Sequence, residues 1–379
     1  MNSDFSRRNF LAAGLALPAA NAVPANSLFS APEPPAGQGL AYRVLGNTGL
    51  KVTTVGFGCM ITSDPTVITR AADMGINYFD TARVYQNGNN ERMVGAALGS
   101  RRKNVVLSTK VGAKDKAGAL RDLETSLKEL GTDYVDIWYL HGKDSPEALT
   151  DELLEAQETA RKDGKIRFAG VSTHRVAAIA DAVIKTGKLQ VVLASYNFTM
   201  GADAEDAINK LHKAGIGVVA MKVMAGGRRG RQPRPELSRP GAMAAALRWV
   251  LKNQGVATSV PSMTDIEQLE ENFKTMSQKF SDADQKILTA RLEEIRTEYC
   301  RMCGRCDGKC PQGLPVSDVL RYLTYAEGYG QFALGREHFL QLPERLRSVR
   351  CGECASCPIR CPNGVQVTRR LIRAQELFA

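Results

Sequence analysis

The 379-residue sequence has no long apolar run. Its best candidate, Ala12–Ala20, is short and rich in Ala and Gly, whereas a bilayer span takes about 20 mostly apolar residues. This excludes an integral membrane segment once the N-terminal leader is removed. A nucleic-acid motif is also lacking. The formal charge is +10, but the arginines are scattered, so the excess is read as solvated surface and nucleic acid is excluded as a partner. Gly56-Phe57-Gly58-Cys59 is not followed by a glycine-rich phosphate loop, which argues against a doubly wound nucleotide fold. There is no flavin motif. Before residue 300 the chain has one cysteine, Cys59, read as a small buried thiol.

What is present begins with an address. Ser6-Arg7-Arg8-Asn9-Phe10-Leu11 and the modest apolar run resemble a twin-arginine export signal, with Ala20-Asn21-Ala22 as a small-x-small cleavage site. Residues 1–30 are therefore expected to be a signal peptide and 31–41 a Pro/Ala/Gly linker. The expected location is the periplasm, reached in the folded state.

From Tyr42 short apolar runs alternate with helical patterns, the mark of a parallel sheet covered by helices. Eight strands are expected, at Thr54–Gly58, Asn77–Asp80, Val105–Thr109, Asp136–Leu140, Arg167–Val171, Val191–Ser195, Gly217–Met221 and Thr258–Pro261. Their spread over about 250 residues predicts a (β/α)₈ TIM barrel over 42–298. Leu120, Leu123, Leu127 and Leu130 share one helical face. Gly75, Gly99, Gly131, Gly164, Gly215 and Gly255 are expected to end helices. YRVLGNTGLKV reads as a hairpin closing the barrel bottom.

Polar residues follow the strands: Asp80 and Tyr85, then Lys110, His141, Ser172 and Thr173, Asn197, Lys222 and Ser262. In a closed barrel these positions ring one mouth, where active sites of this fold lie. A free phenol, with a pKa of about 10, is a weak acid near neutrality. An ammonium beside it favours the phenolate, so Lys110 is expected to acidify Tyr85, with Asp80 holding Lys110 charged. His141 would donate to a substrate carbonyl. Of the other histidines, His174 reads as a helix cap at best, and His212 and His338 as surface residues.

The stretches FDTARVYQNGNNERMVGAAL, LSTK, YLH, GVST, SYN, AMKVMAGG and VPSMTDIEQLEEN resemble the aldo-keto reductases in order and spacing. The resemblance runs from about Tyr42 to Glu294. It implies that Asp80, Tyr85, Lys110 and His141 are the catalytic tetrad. It also implies that Ser172 and Asn197 hold a nicotinamide carboxamide. Lys222 would lie where a loop covers the cofactor pyrophosphate, and Ser262, Gln268, Glu271 and Asn272 at its adenosine end. The implied cofactor is NADP, or NAD. Ser262 and Gln268 stand where NADPH-binding members often carry basic residues. Arg228, Arg229, Arg231 and Arg234 either supply a substitute clamp for the 2′-phosphate or form a solvated loop.

The remaining eight cysteines form an internal repeat. Cys300, Cys303, Cys306 and Cys310 spell C-x₂-C-x₂-C-x₃-C-P, and Cys351, Cys354, Cys357 and Cys361 spell it again. This is the bacterial ferredoxin spacing, in which the fourth cysteine serves the other cluster. Zinc prefers paired knuckles on a longer loop, and thiols so close suit disulfides poorly. The expectation is two [4Fe–4S] clusters, one on Cys300, Cys303, Cys306 and Cys361, the other on Cys351, Cys354, Cys357 and Cys310. Helical patterns at Val319–Glu327 and Arg336–Leu342 point to a small, mainly helical ferredoxin-like domain over 299–379. Barrel plus paired motifs resembles the ferredoxin-tailed branch of the aldo-keto-reductase-like oxidoreductases.

Two functions follow from these parts. One is a nicotinamide-dependent oxidoreductase acting on a small carbonyl or alcohol, its clusters exchanging electrons with a redox partner protein. Hydride carries two electrons and each cluster one, and nothing in the sequence bridges them. The other is an exported iron–sulfur electron-transfer protein whose barrel binds a partner or another ligand without nicotinamide turnover. The tetrad favours the first and the altered adenosine end the second.

Overall fold

The computed structural model describes residues 39–226, 241–354 and 356–379. The proposed signal, most of the linker and the arginine run 228–234 lie outside the described residues.

The chain opens with an antiparallel hairpin, β1 (Tyr42–Val44) and β2 (Lys51–Thr53). A parallel sheet follows: β3 (Phe57–Gly58), β4 (Tyr78–Asp80), β5 (Val106–Val111), β6 (Val135–Leu140), β7 (Ile166–Thr173), β8 (Val191–Ser195), β9 (Gly217–Met221) and β10 (Val256–Ser259). Each strand pairs with the next in the chain. The first and last also meet, through the Val55–Ser259 bridge and the bond from the Gly56 N–H to the Ser259 carbonyl at 2.7 Å. The eight strands thus form a (β/α)₈ barrel, at the positions the sequence implied and within a few residues of the expected ends. The Val191–Ser195 and Gly217–Met221 bounds coincide with expectation.

Helices α1 (Pro65–Asp73), α2 (Asn89–Leu98), α3 (Lys116–Leu130), α4 (Asp151–Lys162), α5 (Val176–Thr186), α6 (Ala202–Lys213) and α7 (Ala242–Lys252) pack outside the sheet. In α3 the leucine stripe buries Leu123, Leu127 and Leu130, each contributing about 1.5–3 kcal/mol of apolar transfer. Asp115 caps its start by accepting from the Gly118 N–H, and left-handed Gly131 ends it. Gly255 departs from expectation. It is not left-handed; the Asn253 side chain accepts from its N–H at 2.8 Å and closes the turn after α7 instead. Strands buried on both faces leave little room inside the barrel. A side chain at Gly170 would meet Tyr139 at 2.6 Å, and the Tyr139 hydroxyl bonds that of Tyr78 at 2.8 Å.

The hairpin plugs the bottom of the barrel, as read from its sequence. Leu45 is fully buried, and Arg43 donates to the carbonyls of Leu251, Asn253 and Val256. After α8 (Ile266–Lys274) and α9 (Asp282–Ile295) the chain enters the cysteine-rich region. Its helices are α10 (Val316–Leu323), continued by a π-helical turn at Thr324–Gly328, then α11 (Phe332–Leu340), α12 (Glu344–Arg347) and α13 (Val367–Phe378). Helices α10 and α13 follow the two cysteine motifs and pack on each other around Val319, Leu323, Leu371 and Phe378. No helix among the described residues is long and apolar enough to cross a membrane.

Candidate functional site

Parallel strands end with their carbonyls at one rim, and the side chains just beyond those ends converge. Asp80 ends β4, and Lys110 lies near the end of the neighbouring β5. The Lys110 Nζ donates to Asp80 Oδ2 at 2.5 Å and to the Thr81 carbonyl at 2.7 Å. Ser108 donates to the other Asp80 oxygen at 2.7 Å. Both members of the pair are buried. Burial alone would pull Lys110 down, but Asp80 and Tyr85 lift it above the ordinary lysine value, so it stays charged.

Tyr85 opens a short 3-10 turn after β4. Gln86 and Asn87, the next two residues, have left-handed backbone at φ 51° and 53°, strain of the kind that gathers at working sites. The turn is anchored by Gln86, whose amide donates to the Thr62 carbonyl at 2.8 Å. Lys110 Nζ lies 4.7 Å from the Tyr85 ring centre, and the His141 ring stands edge-on at 6.0 Å. The four tetrad positions therefore come together.

One electrostatic expectation is corrected. The Tyr85 phenol is not acidified: burial outweighs the Lys110 charge and raises its pKa above the usual tyrosine value, with Asp80 adding to the rise. Tyr85 therefore holds its proton. His141 is pushed well below the usual histidine value, first by burial and then by Lys110, His174, His338 and Lys222. It is a neutral imidazole able to donate one N–H.

These side chains open into a cavity of about 490 Å³, within the usual range for small-molecule sites. One wall is the barrel rim, with Gly58, Tyr85, His141, Lys222 and Ser262. The other comes from the cysteine-rich region: Arg321, Tyr325, Tyr329, Leu334 and His338. The sequence reading missed this second wall. His338 is half-buried rather than openly exposed. It stacks on Tyr322 at 5.2 Å and lines the cavity, held down to about 4 by burial and by nearby cationic groups. His174 is more than a cap. With Arg321 it closes on Asp144, His174 Nδ1 at 3.2 Å and Arg321 Nη1 at 3.1 Å. The available signals were Tyr325 and Tyr329, spaced four apart beyond α10, and a lone arginine on a helix otherwise rich in Val and Leu.

The remaining predicted residues are distributed unevenly. The Ser172 hydroxyl oxygen accepts from the Gly142 N–H at 2.9 Å and retains its own proton to donate. Asn197 is fully engaged. Its amide donates to the Lys222 carbonyl at 3.1 Å and the Tyr299 hydroxyl at 3.3 Å, and its oxygen accepts from Thr199. Lys222, left-handed at φ 60°, turns toward Tyr325 and Tyr329, its Nζ 4.6 and 4.7 Å from their ring centres. Gln268 is tied into the start of α8 with Thr264 and Asp265. Glu271 and buried Asn272 lie on the same helix. Of the residues expected to hold a nicotinamide, Ser172 and Asn197 are buried behind the cavity wall, whereas Lys222 and Ser262 line it.

All eight cysteines of the repeat are free thiols. Burial, followed by Cys306, Cys303 and Cys361, pushes Cys300 up to about 12. Burial, then Cys354 and Cys310, pushes Cys351 up to about 11, with Cys357 also adjacent. Each neighbourhood thus draws three thiols from one motif and one from the other. Asn363, beside Cys361, donates to Cys303 Sγ at 3.5 Å and accepts from Arg301 at 3.3 Å, linking the motifs directly. Among the described residues these side chains are not drawn in around a single metal-binding point, so it is the repeated cysteine spacing that fits the region to iron–sulfur clusters.

Comparison with known proteins agrees with this division. Residues 63–240 and 241–293 match the Aldo/keto reductase family, and residues 299–365 match a 4Fe-4S dicluster domain. An uncharacterized oxidoreductase, YqkF, of Bacillus subtilis is 26% identical over 298 residues, covering 66% of this chain and 96% of the relative. L-galactose dehydrogenase of Arabidopsis thaliana is 27% identical over 306 residues, covering 68% and 96%. Among solved structures, the holo form of an aldo-keto reductase from Bacillus halodurans superposes with a TM-score of 0.58 at 29% identity, covering 66% of this chain and 96% of that one. An aldo/keto reductase from Klebsiella pneumoniae in complex with NADP and acetate gives 0.55 at 25%, covering 64% and 92%.

Proposed function

Because the chain belongs to the aldo/keto reductase family, as an oxidoreductase carrying an iron–sulfur domain, we propose that its barrel mouth interconverts a carbonyl and an alcohol with NADP(H) or NAD(H), Tyr85 acting as the proton donor. The supporting observation is that Asp80, Tyr85 and His141 line one cavity, with Lys110 buried behind them against Asp80 and the Tyr85 ring. Bound nicotinamide supplies the hydride. The neutral His141 orients the carbonyl oxygen by donating an N–H. As charge develops on that oxygen it becomes a stronger base than a phenolate, so Tyr85 releases its proton despite a raised pKa. Lys110, kept ionised by Asp80, then stabilises the resulting phenolate. Ser172 would hold the carboxamide, with Ser262, Gln268, Glu271 and Asn272 toward the adenosine end. NADP is favoured by the NADP-bound relative.

The same reading gives the iron–sulfur domain two [4Fe–4S] clusters, on Cys300, Cys303, Cys306 and Cys361 and on Cys351, Cys354, Cys357 and Cys310, exchanging electrons with a redox partner protein. It includes export through the twin-arginine route to the periplasm, which carries folded, cofactor-loaded proteins. One observation favours a second reading, electron transfer without nicotinamide turnover: the Asn197 amide is already occupied by Lys222 and Tyr299. Titrating the anaerobically purified full chain with NADPH and NADH, with and without Tyr85→Phe, separates the two. The reductase is expected to bind nicotinamide in both forms and to reduce carbonyls only when Tyr85 is present. Absence of nicotinamide binding would leave the second reading standing.

A further inference from the structure

A cation facing a partly enclosed cavity normally finds a carboxylate or gives up part of its hydration. Lys222 follows the apolar strand β9 directly and is turned to the cavity by its left-handed backbone. Among the described residues no carboxylate pairs with it. The charged groups near enough to act on it, Arg321 and Lys110, are both positive, and with burial they hold it down to about 7. The faces of Tyr325 and Tyr329 attract the ammonium without neutralising it. Arg321, on the opposite wall, gives its terminal nitrogens to Asp144 and Asp318, and its buried Nε has no partner among the described residues.

The acids around the cavity are otherwise committed. Asp80 holds Lys110, and Asp144 takes both Arg321 and His174. Asp122 lies under the charges of Arg83 and Arg121, and Glu337 is solvent-exposed on α11. Arg321 is thus matched by Asp144 and Asp318, and the Lys222 ammonium is the cation of the cavity wall that no carboxylate among the described residues pairs with.

We propose that this cavity binds a substrate bearing an anionic oxygen-acid group, a carboxylate or a phosphate ester, held by Lys222 of the barrel against the tyrosine wall of the iron–sulfur domain while its carbonyl faces Tyr85 and His141. The proposal rests on the reductase reading for the carbonyl, but the anion subsite stands on its own residues. It reassigns Lys222 from cofactor to substrate and makes the iron–sulfur domain half of the specificity pocket.

The test is isothermal titration of the cluster-loaded full chain with succinate, with inorganic phosphate and, as the uncharged control, with succinamide. Binding of succinate or phosphate but not succinamide is expected, and the stronger of the two identifies the acid group. Affinity should fall about tenfold or more in Lys222→Met, the loss of one charge-assisted bond. If neither anion binds the wild-type chain, the subsite does not exist, whatever the variant does. If Lys222→Met weakens NADPH, alone or together with the anions, Lys222 belongs to the cofactor and the proposal fails. Tyr85→Phe keeps the two readings distinguishable: it should stop carbonyl reduction yet leave anion affinity within about twofold. Continued turnover in that variant would overturn the reductase reading and not this one.

Discussion

The barrel and the cysteine-rich domain reach order by different routes. The barrel buries apolar side chains from every strand and from the helices around it in one large core. The domain after residue 299 has a much smaller core, built on α10, α11 and α13, and six of its eight cysteines pack against that core. A domain of this size has little surface to bury and usually needs a staple. The difference teaches that the barrel's fold is set by packing, while that of the tail depends on what its thiols hold. Yet the two share one cavity, so the dependent region forms a wall of the autonomous one.

Removing the clusters should break the comparison most sharply. Chelation under mild oxidation is expected to make residues 300–379 protease-sensitive while the barrel still unfolds cooperatively in calorimetry, because site and fold are lost together in small metal-stapled domains. A tail that stays protected would show its core to be sufficient. Next is Asp80→Asn, which strands the buried Lys110 ammonium. Removing one partner of a buried pair costs roughly 3–5 kcal/mol, to be read as a lower denaturant midpoint of the barrel transition with the cluster spectrum unchanged.

A smaller effect is expected at the seam. Arg175, just before α5, pairs with Asp307 and donates to Ser317 at 2.6 Å. The pair is partly exposed, so Arg175→Ala should loosen the tail by only about 1 kcal/mol, seen as faster cleavage between the domains. The smallest effect is a pH dependence. Lys222, held down to about 7 by burial, Arg321 and Lys110, carries its charge below that pH and loses it above. Succinate affinity should therefore weaken as pH rises through about 7. The surrounding histidines do not confuse this test. His141 and His174 are lowered and His338 sits at about 4, while Arg321 is raised and stays charged. Affinity unchanged across that range would remove Lys222 from the subsite.

Much of the barrel was legible because a parallel strand buried on both faces must be a short apolar run, and a polar residue just past it must face the rim. That reasoning places Asp80, Lys110 and His141 at or just past the ends of their strands, where the structure has them. It could not foresee that burial would raise Tyr85 against the pull of Lys110, since the balance depends on solvent exclusion by residues distant in sequence. Nor could it find the second wall. Arg321 lies 177 residues from Asp144, and helical periodicity does not say which neighbour a polar side chain will meet.

The sequence alone determined the count and order of the strands, the polar residues at their ends and the doubled cysteine spacing, because each is a local pattern that backbone geometry or ligand chemistry reads directly. Only the tertiary structure decided that the two domains enclose a common cavity, that Asn197 is consumed by Tyr299 and that no carboxylate among the described residues pairs with Lys222. Charge balance and burial are properties of a closed space, and the space exists only once distant segments have packed around it.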